Sequence, residues 1–268
     1  MTTTRTSLRD ELEPRARTIR ETFGLGPRDE FLAAPLERLD ITDDARQRLR
    51  AFNIEWHVIP PSSLVPFDES YLARMYPLRS RDFRVSPYER LSVDQILTSA
   101  HRRIQGTIVG VETTQKPMYH PENCQQFYGT TYGLDPTCDP FGPYIERAGL
   151  KSGPRFLNSR FSHTPGSLRS LGQVINADWQ DLGLIPAGYQ FNICPPTAFN
   201  LIGLLFHHEW SETATLELSA HFDDRGNAIG LTVGSNQPGD FSYVRRLDTD
   251  PDLSRFGFRI ALVPNERA

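Results

Sequence analysis

The part of the sequence that decides the fold runs from Ala198 to Val263 and reads AFNLIGLLFHHEWSETATLELSAHFDDRGNAIGLTVGSNQPGDFSYVRRLDTDPDLSRFGFRIALV. Apolar and polar side chains alternate between Thr213 and Asp223, which is typical of a half-buried strand. The Asp-Arg-Gly-Asn run that follows favours a tight turn, so we expect a hairpin into Ala228–Val233. Two further strands, at 240–246 and 256–263, complete a predicted antiparallel β-meander.

The beginning of this run, Ala198–Phe206, is apolar on both faces and fits either a central strand or a buried helix. We favour a strand that pairs with Thr213–Asp223 through a turn at Trp210–Glu212. A helix over residues 167–182, apolar along one side, would back the sheet. The predicted fold class is therefore α+β: a largely antiparallel C-terminal β-meander (198–263) backed by a helix, with an N-terminal helical region.

The predicted domain organisation is a helical N-terminal region over residues 1–53 and an α+β domain over residues 54–268. Ser7 can cap a helix that runs to about Phe23. The α+β domain opens with a predicted strand, Ile54–Ile59, which two prolines stop. We expect the N-terminal helices to offer a surface through which the protein could form a homo-oligomer.

Composition argues against several classes of function. A net charge of −4 and a pI near 6.0 give no basic surface for nucleic acid, and no apolar run is long enough to span a membrane. The 3 cysteines form no close pair, so a reducing, cytoplasmic location is expected for a soluble protein. All basic residues except Lys116 and Lys151 are arginine, which favours a GC-rich bacterial genome.

The candidate catalytic residues lie on the polar side of the predicted hairpin. Glu217 and His221 share one face of their strand, and the predicted turn would bring His207 beside Glu217. Imidazoles and a carboxylate on one sheet face can exchange protons or bind a metal ion, although the sequence assigns no metal or cofactor. His221-Phe222-Asp223 also matches the start of an iron-binding facial triad, but no second histidine follows it. A solvated sheet face with cross-strand ion pairs is the structural alternative.

The candidate substrate-binding residues lie in the long proline-rich segment 113–143. Long segments without regular structure are often functional loops, and aromatic side chains suit the wall of a small-molecule pocket. The aromatic residues proposed to contact substrate are Tyr119, Phe127, Tyr128 and Tyr132.

Two classes of function follow from these features. The first is a bacterial small-molecule-modifying, biosynthetic enzyme with a His/Glu site, which could work with or without a metal ion. The second is a non-catalytic binding or assembly protein that uses the aromatic segment 113–143 and the N-terminal helices. The sequence contains no phosphate-binding glycine loop and no nucleophile-elbow motif.

A third interpretation depends on short landmarks that occur in order: Pro196-Thr197-Ala198-Phe199, Glu209-Trp210, Val233-Gly234-Ser235, Arg245-Arg246 and Gly257-Phe258-Arg259-Ile260. Together they resemble the landmarks of the formylglycine-generating, C-type-lectin-like family. Only Glu209-Trp210 represents that family's central Gly-Asn-Val-Trp-Glu-Trp run. The resemblance implies, as an alternative, a divergent domain of that type.

Overall fold

The computed structural model describes residues 6–76, 87–114, 139–150, 160, 163, 165–211, 216–222, 228–233, 244–246 and 256–265. The helices in this part of the chain are α1 (Leu8–Phe23), α2 (Ala33–Arg38), α3 (Asp43–Arg50), α4 (Glu69–Met75), α5 (Pro87–Ile104), α6 (Gly142–Arg147), α7 (Pro165–Asp181) and α8 (Pro196–Phe206). The strands are β1 (Ile54–Ile59), β2 (Thr107–Glu112), β3 (Tyr189–Ile193), β4 (Leu216–Phe222), β5 (Ala228–Val233), β6 (Val244–Arg246), β7 (Phe256–Phe258) and β8 (Ile260–Pro264). The predicted α+β class is confirmed.

The first sheet has the strand order β1-β2-β8-β3, and every pairing in it is antiparallel. One face packs against α1, α3 and α7, whose buried residues include Leu12, Leu49, Leu171 and Trp179. The other face packs against α4, α5 and α8. Helices thus cover both faces of this sheet, and the predicted apolar side of α7 is part of the core.

The second sheet has the strand order β6-β5-β4-β7. β4 and β5 form the predicted hairpin, and β6 pairs antiparallel with β5, whereas β7 pairs parallel with β4. The single last strand predicted over 256–263 is wrong, because the chain changes sheets at Arg259. β7 lies at the edge of the second sheet, and β8 lies between β2 and β3 in the first.

The prediction of a strand at Ala198–Phe206 is also wrong, because this segment belongs to helix α8. Pro196 lies at the start of α8, where proline is tolerated because its missing N–H would have no partner inside the helix. All residues from Pro196 to Gly203 are buried, and apolar residues lie on every side of the helix, so the sequence shows no helical periodicity. A 3₁₀ turn, His208–Ser211, follows α8 where a β-turn was expected.

The N-terminal helices share the core of the first sheet. Helix α1 begins with the predicted cap, in which Ser7 and Asp10 form a reciprocal capping box. Its buried residues Leu12, Ala16 and Ile19 belong to the same hydrophobic cluster as Trp56 of β1. Within the described part of the chain, no helix is both long and apolar enough to cross a membrane.

Candidate functional site

The candidate site begins on β1, the edge strand of the first sheet, where Glu55 and His57 project from one face. Successive strand side chains alternate between faces, so Ile54, Trp56 and Val58 point the other way, into the hydrophobic core. His57 faces the layer that contains α8, and its ring lies 5.4 Å from that of Phe206. The strand therefore carries a carboxylate and an imidazole side by side.

His207 completes the cluster from the C-terminal end of α8. Its Nε2 lies 3.7 Å from Oε2 of Glu55, and Nε2 of His57 lies 4.0 Å from the same oxygen. The centroids of the two imidazole rings are 5.8 Å apart. One ligand atom from each of the three residues lies within 4.8 Å of the other two, and no other such group occurs among the described residues.

The nitrogens that face this cluster have unmet hydrogen-bonding capacity. Neither ring nitrogen of His57 has a hydrogen-bond partner in the described structure, and the side chain is 0% exposed. Nε2 of His207 is likewise buried without such a partner. Burial lowers the pKa of His57 well below its usual value, and the nearby Arg15 and His207 lower it further. Buried polar atoms without partners are uncommon in folded proteins, and an ordered water molecule or an ion can supply the partner.

Glu209 fixes the orientation of the His207 ring. Its Oε1 lies 2.8 Å from Nδ1 of His207. Because a carboxylate can only accept, the bond assigns a proton to Nδ1, and in the neutral form of the ring the lone pair is then on Nε2, which faces Glu55. Trp210 stacks on the same imidazole at 4.8 Å with the planes 10° apart. A carboxylate that orients a histidine through its far nitrogen is the usual arrangement around a metal ligand.

The donor set suits a divalent transition metal. Two neutral imidazoles and one carboxylate are the ligands found in catalytic zinc and non-haem iron sites. Zinc holds such ligands at about 2.0–2.2 Å, which places tetrahedral donors about 3.4 Å apart. The 3.7 and 4.0 Å separations would need to contract by well under 1 Å, and Glu55 is a flexible side chain.

Arg15 already forms an ion pair with Glu55, the carboxylate that a metal ion would bind. Its Nη2 donates to Oε2 of Glu55, and its Nη1 donates to the carbonyl of Trp56 at 2.6 Å. The pKa of Glu55 is lowered chiefly by the facing His207 and also by Arg15, against the effect of partial burial. A metal ion that binds Oε2 would therefore compete with Arg15 for this oxygen.

A second cluster of charged side chains is buried between the two sheets. Arg259 donates two hydrogen bonds to Glu217, at 3.1 and 2.8 Å, and two more to the carbonyls of Glu112 and Thr114. Arg160 donates to Glu112 at 2.6 Å and to both carboxylate oxygens of Asp139. The side chains of both arginines are 0% exposed. We call this cluster the arginine network.

The structure describes two of the three predicted catalytic side chains, those of His207 and Glu217, and their hydrogen-bond partners differ. His207 belongs to the site with Glu55 and His57, whereas Glu217 is 1% exposed and belongs to the arginine network. The hairpin that was expected to join His207 and Glu217 does not form, because His207 follows a helix. His221 lies on β4, and its side chain is outside the described structure. The predicted substrate-binding residues Tyr119, Phe127, Tyr128 and Tyr132 also lie outside the described residues.

Sequence reasoning missed Glu55 and His57, although a signal was present. The strand Ile54–Ile59 was predicted with its observed bounds, and its Glu-x-His spacing places both side chains on one face. Comparisons with protein-family models, with curated proteins and with solved structures found no match to this chain. The resemblance to the formylglycine-generating, C-type-lectin-like family stays a prediction.

Proposed function

We propose that this protein is a metal-dependent enzyme that acts on a small molecule and holds a divalent cation with Glu55, His57 and His207. The observation that carries the proposal is the convergence of buried imidazole nitrogens, without hydrogen-bond partners among the described residues, on a single carboxylate. The small-molecule substrate and a place in bacterial biosynthesis are expectations from the sequence and belong to the same proposal.

The number of ligands supports a catalytic role for the metal. Structural zinc sites are closed by four protein ligands, whereas catalytic sites use three and leave a position for water or substrate. The described residues supply three ligands. Exposure increases across the site, from 0% for the side chain of His57 to 13% for His207 and 39% for Glu55. Solvent and substrate would therefore approach from the side of Glu55.

The protonation of the site supports metal binding near neutral pH. An imidazole must be neutral to bind a metal ion, and burial keeps the pKa of His57 well below its usual value. Glu55 has a lowered pKa and is ionised. A bound divalent cation would supply a Lewis acid and lower the pKa of a water molecule at the open position.

The proposal is tested by calorimetric titration of the metal-stripped protein with Zn²⁺ near neutral pH. We expect one equivalent to bind and to raise the melting temperature, because a ligand that binds only the folded state stabilises it. Glu55→Gln and His207→Ala should remove this binding. His208→Ala is the matched control, since His208 is the exposed neighbour of His207 in sequence and does not belong to the cluster.

A further variant separates ligand loss from simple damage to the fold. Glu209→Gln keeps the size of the side chain but weakens the bond that orients His207, so zinc affinity should fall by about 10–100-fold rather than vanish. A parent protein that binds no zinc would contradict the proposal. So would a His208→Ala variant that loses zinc binding as completely as His207→Ala does.

A further inference from the structure

We infer that the cavity beside Glu55 is an anion-binding subsite, which metal binding makes available by releasing Arg15 from Glu55. This inference rests on the proposed function and assigns the class of substrate: a small molecule that carries a carboxylate or a phosphate. The cavity has a volume of about 430 Å³, and its lining includes Glu11, Arg15, Arg46, Arg50 and Glu55. Glu55 thus belongs both to the wall of the cavity and to the metal site.

The charges around the cavity are matched when the metal site holds no cation. Arg15 pairs with Glu55, and Arg50 pairs with Glu11. Arg46 pairs with Glu11 at 2.7 Å and with Asp43 at 2.5 Å. The three arginines therefore face three carboxylates, and an added anion would gain little from the cavity in this state.

A divalent cation at the metal site changes this balance. It adds two positive charges and engages Oε2 of Glu55, the oxygen that accepts from Nη2 of Arg15. Competition with the cation weakens the bond from Arg15 to Glu55, whereas Nη1 stays bonded to the carbonyl of Trp56, which holds the guanidinium at the cavity wall. Arg15 is only partly exposed, at 21%, so its charge is poorly solvated and attracts a replacement anion.

The geometry thereby links two binding events. An anionic group on Arg15 would lie next to the metal ion, so the rest of the substrate can extend to the open coordination position. Because linkage is reciprocal, metal binding should strengthen anion binding by the same factor as the anion strengthens metal binding. Both effects require Arg15, since it is the residue that exchanges Glu55 for the anion.

The experiment is a calorimetric titration of succinate into the zinc-free and the zinc-loaded protein. We expect the zinc-loaded protein to bind succinate more than about fivefold tighter than the zinc-free protein. Arg15→Gln should abolish this difference and should also tighten zinc binding, because it removes the competitor for Glu55. Arg48→Gln is the matched control, since Arg48 is on the same helix as Arg46 and Arg50 but does not line the cavity.

The outcomes separate this inference from the proposed function. Absence of zinc binding in the parent protein overturns both. Normal zinc binding with equal succinate affinity in the two forms overturns the subsite alone. The same holds if Arg15→Gln leaves the difference unchanged, which would mean that succinate binds only to the metal ion. Replacement of succinate by inorganic sulfate then shows whether the subsite accepts a tetrahedral anion as well as a carboxylate.

Discussion

The arginine network and the Glu55–His57–His207 site are both buried clusters of polar side chains next to the first sheet, but they differ in how completely their hydrogen bonds are made. Arg259 makes four hydrogen bonds to Glu217 and to the carbonyls of Glu112 and Thr114. His57 makes none through its ring nitrogens within the described structure. A completed network stabilises the fold, whereas nitrogens without partners beside a carboxylate keep hydrogen-bonding capacity for a further group.

Glu217, one of the predicted catalytic residues, has its carboxylate hydrogen-bonded within the arginine network. Its carboxylate is already held by Arg259, and the pair links β4 of the second sheet to the end of β2 in the first. The guanidinium of Arg259 lies 3.9 Å from the centre of the Trp210 ring, which in turn stacks on His207. The arginine network therefore contacts the candidate site through Trp210.

The largest expected effect comes from breaking the arginine network. Arg259→Met should lower the free energy of unfolding by about 3–5 kcal/mol, because it leaves Glu217 as a buried carboxylate without its partner. Urea denaturation followed by circular dichroism measures the change. Arg102→Met, at an exposed position on α5, is the control and should change the stability far less. Equal stability of the two variants would mean that the network contributes nothing.

A milder change in the arginine network separates the structural role of Glu217 from the proposed metal-binding role of His207. Glu217→Gln keeps one acceptor for Arg259, so we expect a loss of about 1.5–3 kcal/mol, the range for hydrogen bonds to charged groups. The same variant should bind zinc as the parent does, whereas His207→Ala should not bind it. Denaturation and zinc titration of both variants provide the measurements. Loss of zinc binding in Glu217→Gln would place this carboxylate in the site after all.

His101 provides a buried imidazole that lacks the other ligands of the site. Its ring is 3% exposed, stacks on Phe67 at 4.2 Å and has no hydrogen-bond partner in the described structure. Burial lowers its pKa to about 4, so between about pH 6.5 and 4 the unfolded chain binds the proton more readily, and stability falls with the pH. At about pH 5 the free energy of unfolding is lower by roughly 2 kcal/mol for this reason.

The matched variant is His101→Phe, which keeps a ring on Phe67. Its stability should decrease less than that of the parent when the pH is lowered from about 7 to about 5, by roughly the 2 kcal/mol given above. Denaturation curves at the two pH values measure this difference. Parallel losses in parent and variant would show that the His101 ring is protonated without penalty in the folded state.

The smallest expected effect on stability comes from the site itself. His57→Phe replaces an imidazole whose two nitrogens lack partners among the described residues, so the metal-free variant should stay within about 1 kcal/mol of the parent. Zinc should no longer raise its melting temperature. A loss of unfolding free energy comparable to that of Arg259→Met would mean that His57 is part of a structural network and is not a metal ligand.

The secondary structure that the sequence predicted correctly has strong local signals. The strand Ile54–Ile59 has the predicted bounds, and the β4–β5 hairpin follows from its turn residues. The error at Ala198–Phe206 has a physical reason. A helix buried on all sides carries apolar residues on every face, so it lacks the period that distinguishes it from a buried strand, even with Thr197 and Asn200 among them.

For the candidate site, the sequence determined which groups share a face but not which groups meet. Alternation along β1 places Glu55 and His57 together, and this much follows from the strand alone. His207 joins them from the end of α8, about 150 residues later in the chain. No local pattern specifies that contact, because it depends on how α8 packs across the face of the first sheet.

The charged residues show the same difference between what the sequence determines and what tertiary packing determines. The sequence alone determined the composition, the net charge of −4 and the polar face of β4 that drew attention to Glu217. Only the tertiary structure decided that Glu217 is paired with Arg259, while the imidazoles of His57 and His207 are left facing a shared carboxylate. The physical reason is that burial and partners, rather than residue type, decide whether a polar group stabilises the fold or binds a ligand.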